Sequence, residues 1–210
     1  MENLLTDSEY SFRKLLHSMA GESFLCSEKM NDKKLLVTIL NQKSKCYLKH
    51  SKRVSTFATK LAKQLHLDKH LIKQIKLAAL LHDIGKLGIS EQLLNSPNKL
   101  TEAEFQLMKE HSKIGCCLLY TSSKLKDVSK FVLEHHERYD GSGYPIGLLG
   151  DNISLPARII TIADSYDAMT SERSYKNTLT KEEAVEEFKR CAGSQFDPEL
   201  VDIFIKKVLK

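Results

Sequence analysis

From Asp68 to Ile84 the apolar residues Leu71, Ile72, Ile75, Leu77, Ala78, Leu80, Leu81 and Ile84 recur in steps of three and four. That spacing puts most of them on one broad face of a helix. Thr101-Glu102-Ala103-Glu104 reads as a capping box, with Phe105 and Met108 one turn apart behind it. Thr180 to Glu183 repeats the signal ahead of Ala184, Val185 and Phe188. Asp197-Pro198 places an acceptor at an N-cap and proline at the first helical position, and Leu200, Val201, Phe204, Ile205 and Val208 supply the buried stripe that follows. The apolar run Leu155 to Ala163 has the composition of a strand, but Pro156 near its start also suits a helix. Strand signals are otherwise scarce, and the expected fold class is all-α.

One stretch breaks the helical pattern. Residues 139–156, YDGSGYPIGLLGDNISLP, hold four of the nine glycines, the composition of a long loop. Loops of that length inside compact domains are usually functional or disordered. Residues 1–34 share none of the later motifs and read as a short helical extension, leaving 35–210 as the main domain.

With 210 residues the chain is long enough to bury one sizeable core without disulfides. Five cysteines (Cys26, Cys46, Cys116, Cys117, Cys191), odd in number and without CxxC spacing, fit reduced thiols in a cytoplasmic protein better than a disulfide framework or a zinc knuckle. The net charge of +5 is spread along the chain. It can attract an anionic small molecule, but it forms no basic stripe with interleaved aromatics, so DNA is not the expected partner. No stretch approaches the ~18 apolar residues that span a bilayer, and the N-terminus lacks the order of a signal peptide.

The chemistry is concentrated in unevenly placed His and Asp residues. His82-Asp83 ends an apolar helix, and His135-His136-Glu137 ends another directly before the glycine-rich loop. His111 follows the capping-box helix, His50 sits three residues before Arg53, and Asp164 interrupts an apolar run with Asp167 one turn on. Singly, each has an ordinary reading as a packed histidine or a satisfied helix-end pair. Together, His50, His82, Asp83, His111, His135, His136 and Asp164 exceed what one ion needs and suit two, with Asp83 the natural shared carboxylate. Imidazole and carboxylate without thiolate favour iron or manganese over calcium, with zinc also admissible. Two such ions supply an activated hydroxide and stabilise both oxygens of a phosphoryl displacement.

The order of the motifs HSKRV (50–54), HDIGK (82–86), HSKIG (111–115), HHERYDGSGYP (135–145) and ADSYDAMTSERSYK (163–176) resembles the HD-GYP family, a branch of the HD metal-dependent phosphohydrolases. The resemblance covers residue 35 onward. It implies a helical bundle around a metal centre. It also implies hydrolysis of cyclic di-GMP to the linear dinucleotide and often on to GMP. By position, His50, His82, Asp83 and Asp164 would hold one metal, and Asp83, His111, His135 and His136 the other. Lys86 matches a lysine that stabilises the scissile phosphate, and Arg173 and Lys176 match positions that contact substrate phosphate. Tyr144 and Pro145 lie in the loop that names the family, which would shape the site or dock a diguanylate cyclase. The alternatives are another cyclic dinucleotide, cyclic GMP-AMP, or a docking module without activity.

Three departures qualify the match. Ser96 stands where a lysine is common, which weakens a substrate contact. Ser112 follows His111 where proline is usual, a local change. Cys46 stands where some members place a glutamate for a third metal, so two metals are expected.

Overall fold

A computed structural model describes Leu36, Thr38 and residues 45–171 and 178–210. Among them the secondary structure is helical. Two isolated bridges, Asp140 with Leu149 and Ala192 with Phe196, are the only β pairing among the described residues. In chain order the helices are α1 (Lys45–Gln64), α2 (Lys69–Leu81), a 3-10 turn (Ile84–Gly88), α3 (Glu91–Leu94), α4 (Glu102–Lys109), α5 (His111–Tyr120) and α6 (Lys126–Glu134). A 3-10 turn (Gly150–Asn152), α7 (Leu155–Thr170), α8 (Lys181–Cys191) and α9 (Pro198–Ile203) follow, and α9 runs on into a π turn at Phe204–Val208.

Local signals set several helix starts. The Asp68 side chain accepts the His70 and Leu71 amides and starts α2. Thr101 and Thr180 both form complete capping boxes, with Glu104 and Glu183 returning to the cap amide. Asp197 caps the amides of Glu199 and Leu200 with Pro198 in the first turn. The ambiguous run from Leu155 is a helix, and Pro156 lies in its first turn. It is apolar nearly all round because α7 lies inside the bundle, where α1, α2, α6, α8 and α9 all pack on it. Buried residues of α7 therefore include Ile159, Ile160, Ile162 and Ala163.

Two expectations shift. The apolar period continues to Ile84, but α2 stops at Leu81; His82 is its C-cap and Asp83 precedes a 3-10 turn. The capping-box helix ends at Lys109, and His111 opens a new helix, α5. Both breaks fall beside residues with site chemistry.

The core joins α1, α2, α7 and the C-terminal segments. Its aromatic cluster packs edge to face: Phe57 and Tyr166 have centroids 4.9 Å apart, Tyr166 and Phe204 5.5 Å, and Phe188 and Phe204 5.6 Å.

Candidate metal centre

The bundle brings all seven candidate ligands to one place. His50 comes from the middle of α1, His82 and Asp83 from the end of α2, and His111 from the first residue of α5. His135 and His136 lie at the end of α6, and Asp164 on α7. Helix ends allow neighbouring side chains such as His135 and His136 to serve one centre, because the backbone leaves the 100° step there. Gly85 makes the approach of Asp83 to α5 possible. A Cβ at Gly85 would run into the His111 carbonyl and lie 2.5 Å from the Gly115 amide nitrogen. Without one, the turn carrying Asp83 lies against α5 and its Oδ1 sits 3.5 Å from His111 Nε2.

The imidazoles are oriented by their outer nitrogens. Nδ1 of His82, His111 and His135 lies 2.9, 2.8 and 2.6 Å from the carbonyls of Ala79, Met108 and Val132, each three residues back. A carbonyl only accepts, so Nδ1 carries the proton and Nε2 presents a lone pair to the centre. His50 Nδ1 lies 2.7 Å from Asp167 Oδ2. Asp167 is itself held by Arg53, whose Nε and Nη2 donate to it at 2.5 and 2.9 Å, and by the Ser171 hydroxyl at 3.1 Å.

Two overlapping donor groups result: His50, His82 and Asp83, and Asp83, His111, His135 and His136, with ligand atoms within 4.8 Å of one another in each. Asp83 belongs to both. Its Oδ2 faces His82 Nε2 at 3.5 Å and His50 Nε2 at 4.0 Å, while Oδ1 faces His111. Asp164 Oδ1 adds a carboxylate to the first group, 3.1 Å from His50 Nε2 and 3.7 Å from His82 Nε2.

The donors fit divalent ions. His82 Nε2 is buried and has no hydrogen-bond partner, a cost that coordination removes. His111 and His135 face each other through Nε2 atoms 3.4 Å apart. With both Nδ1 atoms protonated these are two opposed lone pairs, an arrangement that a cation relieves.

Ionisation favours the ligating forms. Burial lowers the pKa of His111 and His135, and it takes His136, with the charge of His111, down to about 3. Burial alone would raise Asp83 and Asp164. Lys86 and the histidines around Asp83 outweigh it there, and His50 and His82 do so at Asp164, so both lie well below the usual carboxylate range. His50 is the exception. Burial opposes its cation, but Asp164 and Asp167 on its two nitrogens lift its pKa to about 9.

Lys86 donates to Asp83 Oδ2 at 2.6 Å and lies over the Tyr47 ring, 5.2 Å from its centroid. Tyr144 packs on His136 with centroids 4.8 Å apart, and its amide donates to the His136 carbonyl at 3.2 Å. Arg173 and Lys176 lie outside the described residues, as does the Cys46 side chain. Ser112 is buried and its hydroxyl donates to the Lys109 carbonyl at 3.1 Å, a local accommodation. Ser96 is half-buried, its hydroxyl 3.4 Å from the Asn98 carbonyl.

The sequence reading assigned no role to two buried glutamates that frame the glycine-rich loop. Glu137 accepts the amides of Ile146 (2.7 Å), Gly147 (3.0 Å) and Leu148 (3.0 Å), and Glu134 accepts that of Ser154 (2.9 Å). Gly143 fits beneath because it lacks a Cβ, which would stand 2.6 Å from Glu137 Cα. Glu137 adjoins the paired histidines in sequence, the only signal that could have marked it.

This fold and donor set define a helical metal-centre protein of the HD type. A family model described as HD domain matches residues 34–200. The chain belongs to the HD domain family, and its motifs place it in the HD-GYP branch. It is 41% identical over 160 residues to "Cyclic di-GMP phosphodiesterase" of Thermotoga maritima, covering 75% of this chain and 44% of that protein. It is 39% identical over 161 residues to "3'3'-cGAMP-specific phosphodiesterase 3" of Vibrio cholerae, covering 77% of this chain and 35% of that protein. The chain therefore spans less than half the length of these relatives. The solved HD domain of the L. monocytogenes phosphodiesterase PgpH, in complex with cyclic-di-AMP, superposes with a TM-score of 0.62 at 17% identity over 83% of this chain and 93% of that one, a likeness of fold.

Proposed function

We propose that the chain is a metal-dependent phosphodiesterase that hydrolyses cyclic di-GMP to the linear dinucleotide. The observation that carries this reading is the place of Asp83 between two groups of imidazoles, with His82 Nε2 of one group facing its Oδ2 and His111 Nε2 of the other facing its Oδ1. In it His50, His82, Asp83 and Asp164 hold one divalent ion and Asp83, His111, His135 and His136 the other, iron or manganese by ligand type. When bound, the pair lowers the pKa of a water and neutralises charge on a phosphoryl group.

The protein's own groups supply the rest. Lys86, fixed on Asp83, donates to a phosphoryl oxygen as negative charge develops. Arg173 and Lys176 hold the phosphate backbone, and Tyr144 walls the site beside His136. The glycine-rich loop presents Ile146 and Leu149, 58% and 59% exposed, on a surface that suits a diguanylate cyclase partner. Residues 1–34 are a short extension to a domain that spans 35–210. No helix among the described residues is long and apolar enough to cross a membrane.

Similarity to relatives named for 3'3'-cGAMP supports a second reading with cyclic GMP-AMP as substrate. Turnover of both dinucleotides by protein purified without oxygen, with bound metal quantified on the same sample, tests the proposal. We expect about two ions per chain and cleavage of cyclic di-GMP. His82→Ala/Asp83→Ala should abolish both while the helical signal persists. Full activity in that variant would sink the assigned centre, and preference for cyclic GMP-AMP would select the second reading.

A further inference from the structure

Lys109 is a half-buried cation that has no carboxylate partner among the described residues. Its ammonium lies over two rings instead, 4.7 Å from the centroid of Phe105 and 5.5 Å from that of Tyr144. Phe105 is four residues back on the same face of α4, and Tyr144 comes from the glycine-rich loop. The Tyr144 ring also packs on His136, so Lys109 reaches the rim of the metal centre through one aromatic side chain.

Its backbone is fixed there. The Lys109 carbonyl accepts the Ser112 hydroxyl at 3.1 Å, and the neighbouring Met108 carbonyl holds His111 Nδ1 at 2.8 Å. Yet α4 buries none of its residues, and Phe105 is 43% exposed. A surface helix thus holds, beside the site, a cation with no carboxylate partner among the described residues and an open aromatic face next to it.

Ring faces hold an ammonium less strongly than a charge-assisted hydrogen bond does, so Phe105 and Tyr144 orient Lys109 without neutralising it. Lys86, a second lysine beside the centre among the described residues, is held on Asp83 and serves the scissile phosphoryl group. A cyclic dinucleotide carries two phosphodiester anions. The metal centre takes the scissile one, and the second lies toward the rim, where a cation from α4 can join Arg173 and Lys176 in meeting it. We propose that Lys109 binds this second, non-scissile phosphodiester, with Phe105 and Tyr144 holding the ammonium in place. The inference rests on the cyclic dinucleotide reading and adds a binding residue to it.

The test compares the metal-loaded chain with Lys109→Met and Lys109→Arg, measuring turnover and equilibrium binding of cyclic di-GMP and cyclic GMP-AMP. Lys109→Met should raise KM about tenfold and leave kcat within about twofold, with metal content and melting temperature unchanged. Lys109→Arg should recover most of the loss. The rise of KM with salt should be shallower in Lys109→Met, because one screened charge pair has gone. An unchanged KM in Lys109→Met, with the wild-type chain active, overturns the inference and leaves the hydrolase reading standing. Loss of metal in that variant also overturns it, since Lys109 would then serve the centre's structure. Wild-type binding without turnover removes the hydrolase reading and leaves Lys109 to the ratio of Kd values, equality counting against it. Neither binding nor turnover by the wild-type chain overturns both.

Discussion

An imidazole ligates a cation through an unprotonated nitrogen, so the group on its other nitrogen decides how well it is prepared. For three of the histidines that group is a carbonyl three residues back, which follows from their places at helix ends. For His50, in mid-helix, it is the Asp167 carboxylate, itself gripped by Arg53. Asp167→Asn keeps the shape but removes the charge that orders both partners. We expect metal affinity to fall roughly 10- to 100-fold at the His50 group and to change little at the His111–His136 group. A two-site calorimetric titration separates these, and equal weakening of both sites would contradict the assignment. His82, Asp83 and the histidine pair could be singled out from sequence because their position before turns and glycines is unusual. Asp167 could be seen only as an acid one turn from Asp164. Its partner is 117 residues away, and nothing local encodes that contact.

At the scale of elements, caps and periods located α2, α4, α8 and α9 and left α7 open between strand and helix, and tertiary contacts set the ends. The periodic stretch from Asp68 runs on to Ile84, but the helix stops at Leu81 because the chain must turn to bring Asp83 against α5. The helix after Thr101 breaks at Glu110 and restarts with His111, a change no glycine or proline announces. The 139–156 loop was legible from its glycines, but its anchoring was not. Glu137 holds three consecutive amides, and replacing it with alanine leaves them without their acceptor. Glu137→Ala should loosen the loop by roughly 1–3 kcal/mol, read as faster amide exchange at residues 146–148. KM should rise through displaced Tyr144 while metal content holds. Exchange at the wild-type rate would show that other contacts fix the loop.

For the whole molecule, metal loading and ionisation are linked. In the metal-free chain the His50 pKa is raised from 6.5 to about 9, so its stabilising contribution is fully present below 6.5 and is lost as pH rises through 9. Ligation through Nε2 must displace that proton, whereas the lowered pKa values of His111, His135 and His136 leave them neutral at pH 7. Metal binding at pH 7 should therefore release about one proton from His50, and the release should vanish above pH 9. Calorimetry in buffers of different ionisation enthalpy reads this directly, and release that is independent of pH would place the proton elsewhere. The sequence by itself determined the helical class, the caps, the glycine-rich loop and the identity of the seven candidate ligands, because these depend on local periodicity and on residue types that are costly to bury unpaired. The shared place of Asp83 was also an expectation from the sequence, but only the tertiary structure decided that Asp167 and Arg53 stand behind His50, that Glu137 clamps the loop and that Lys109 faces two rings. Those relations join residues distant in the chain, and packing sets them.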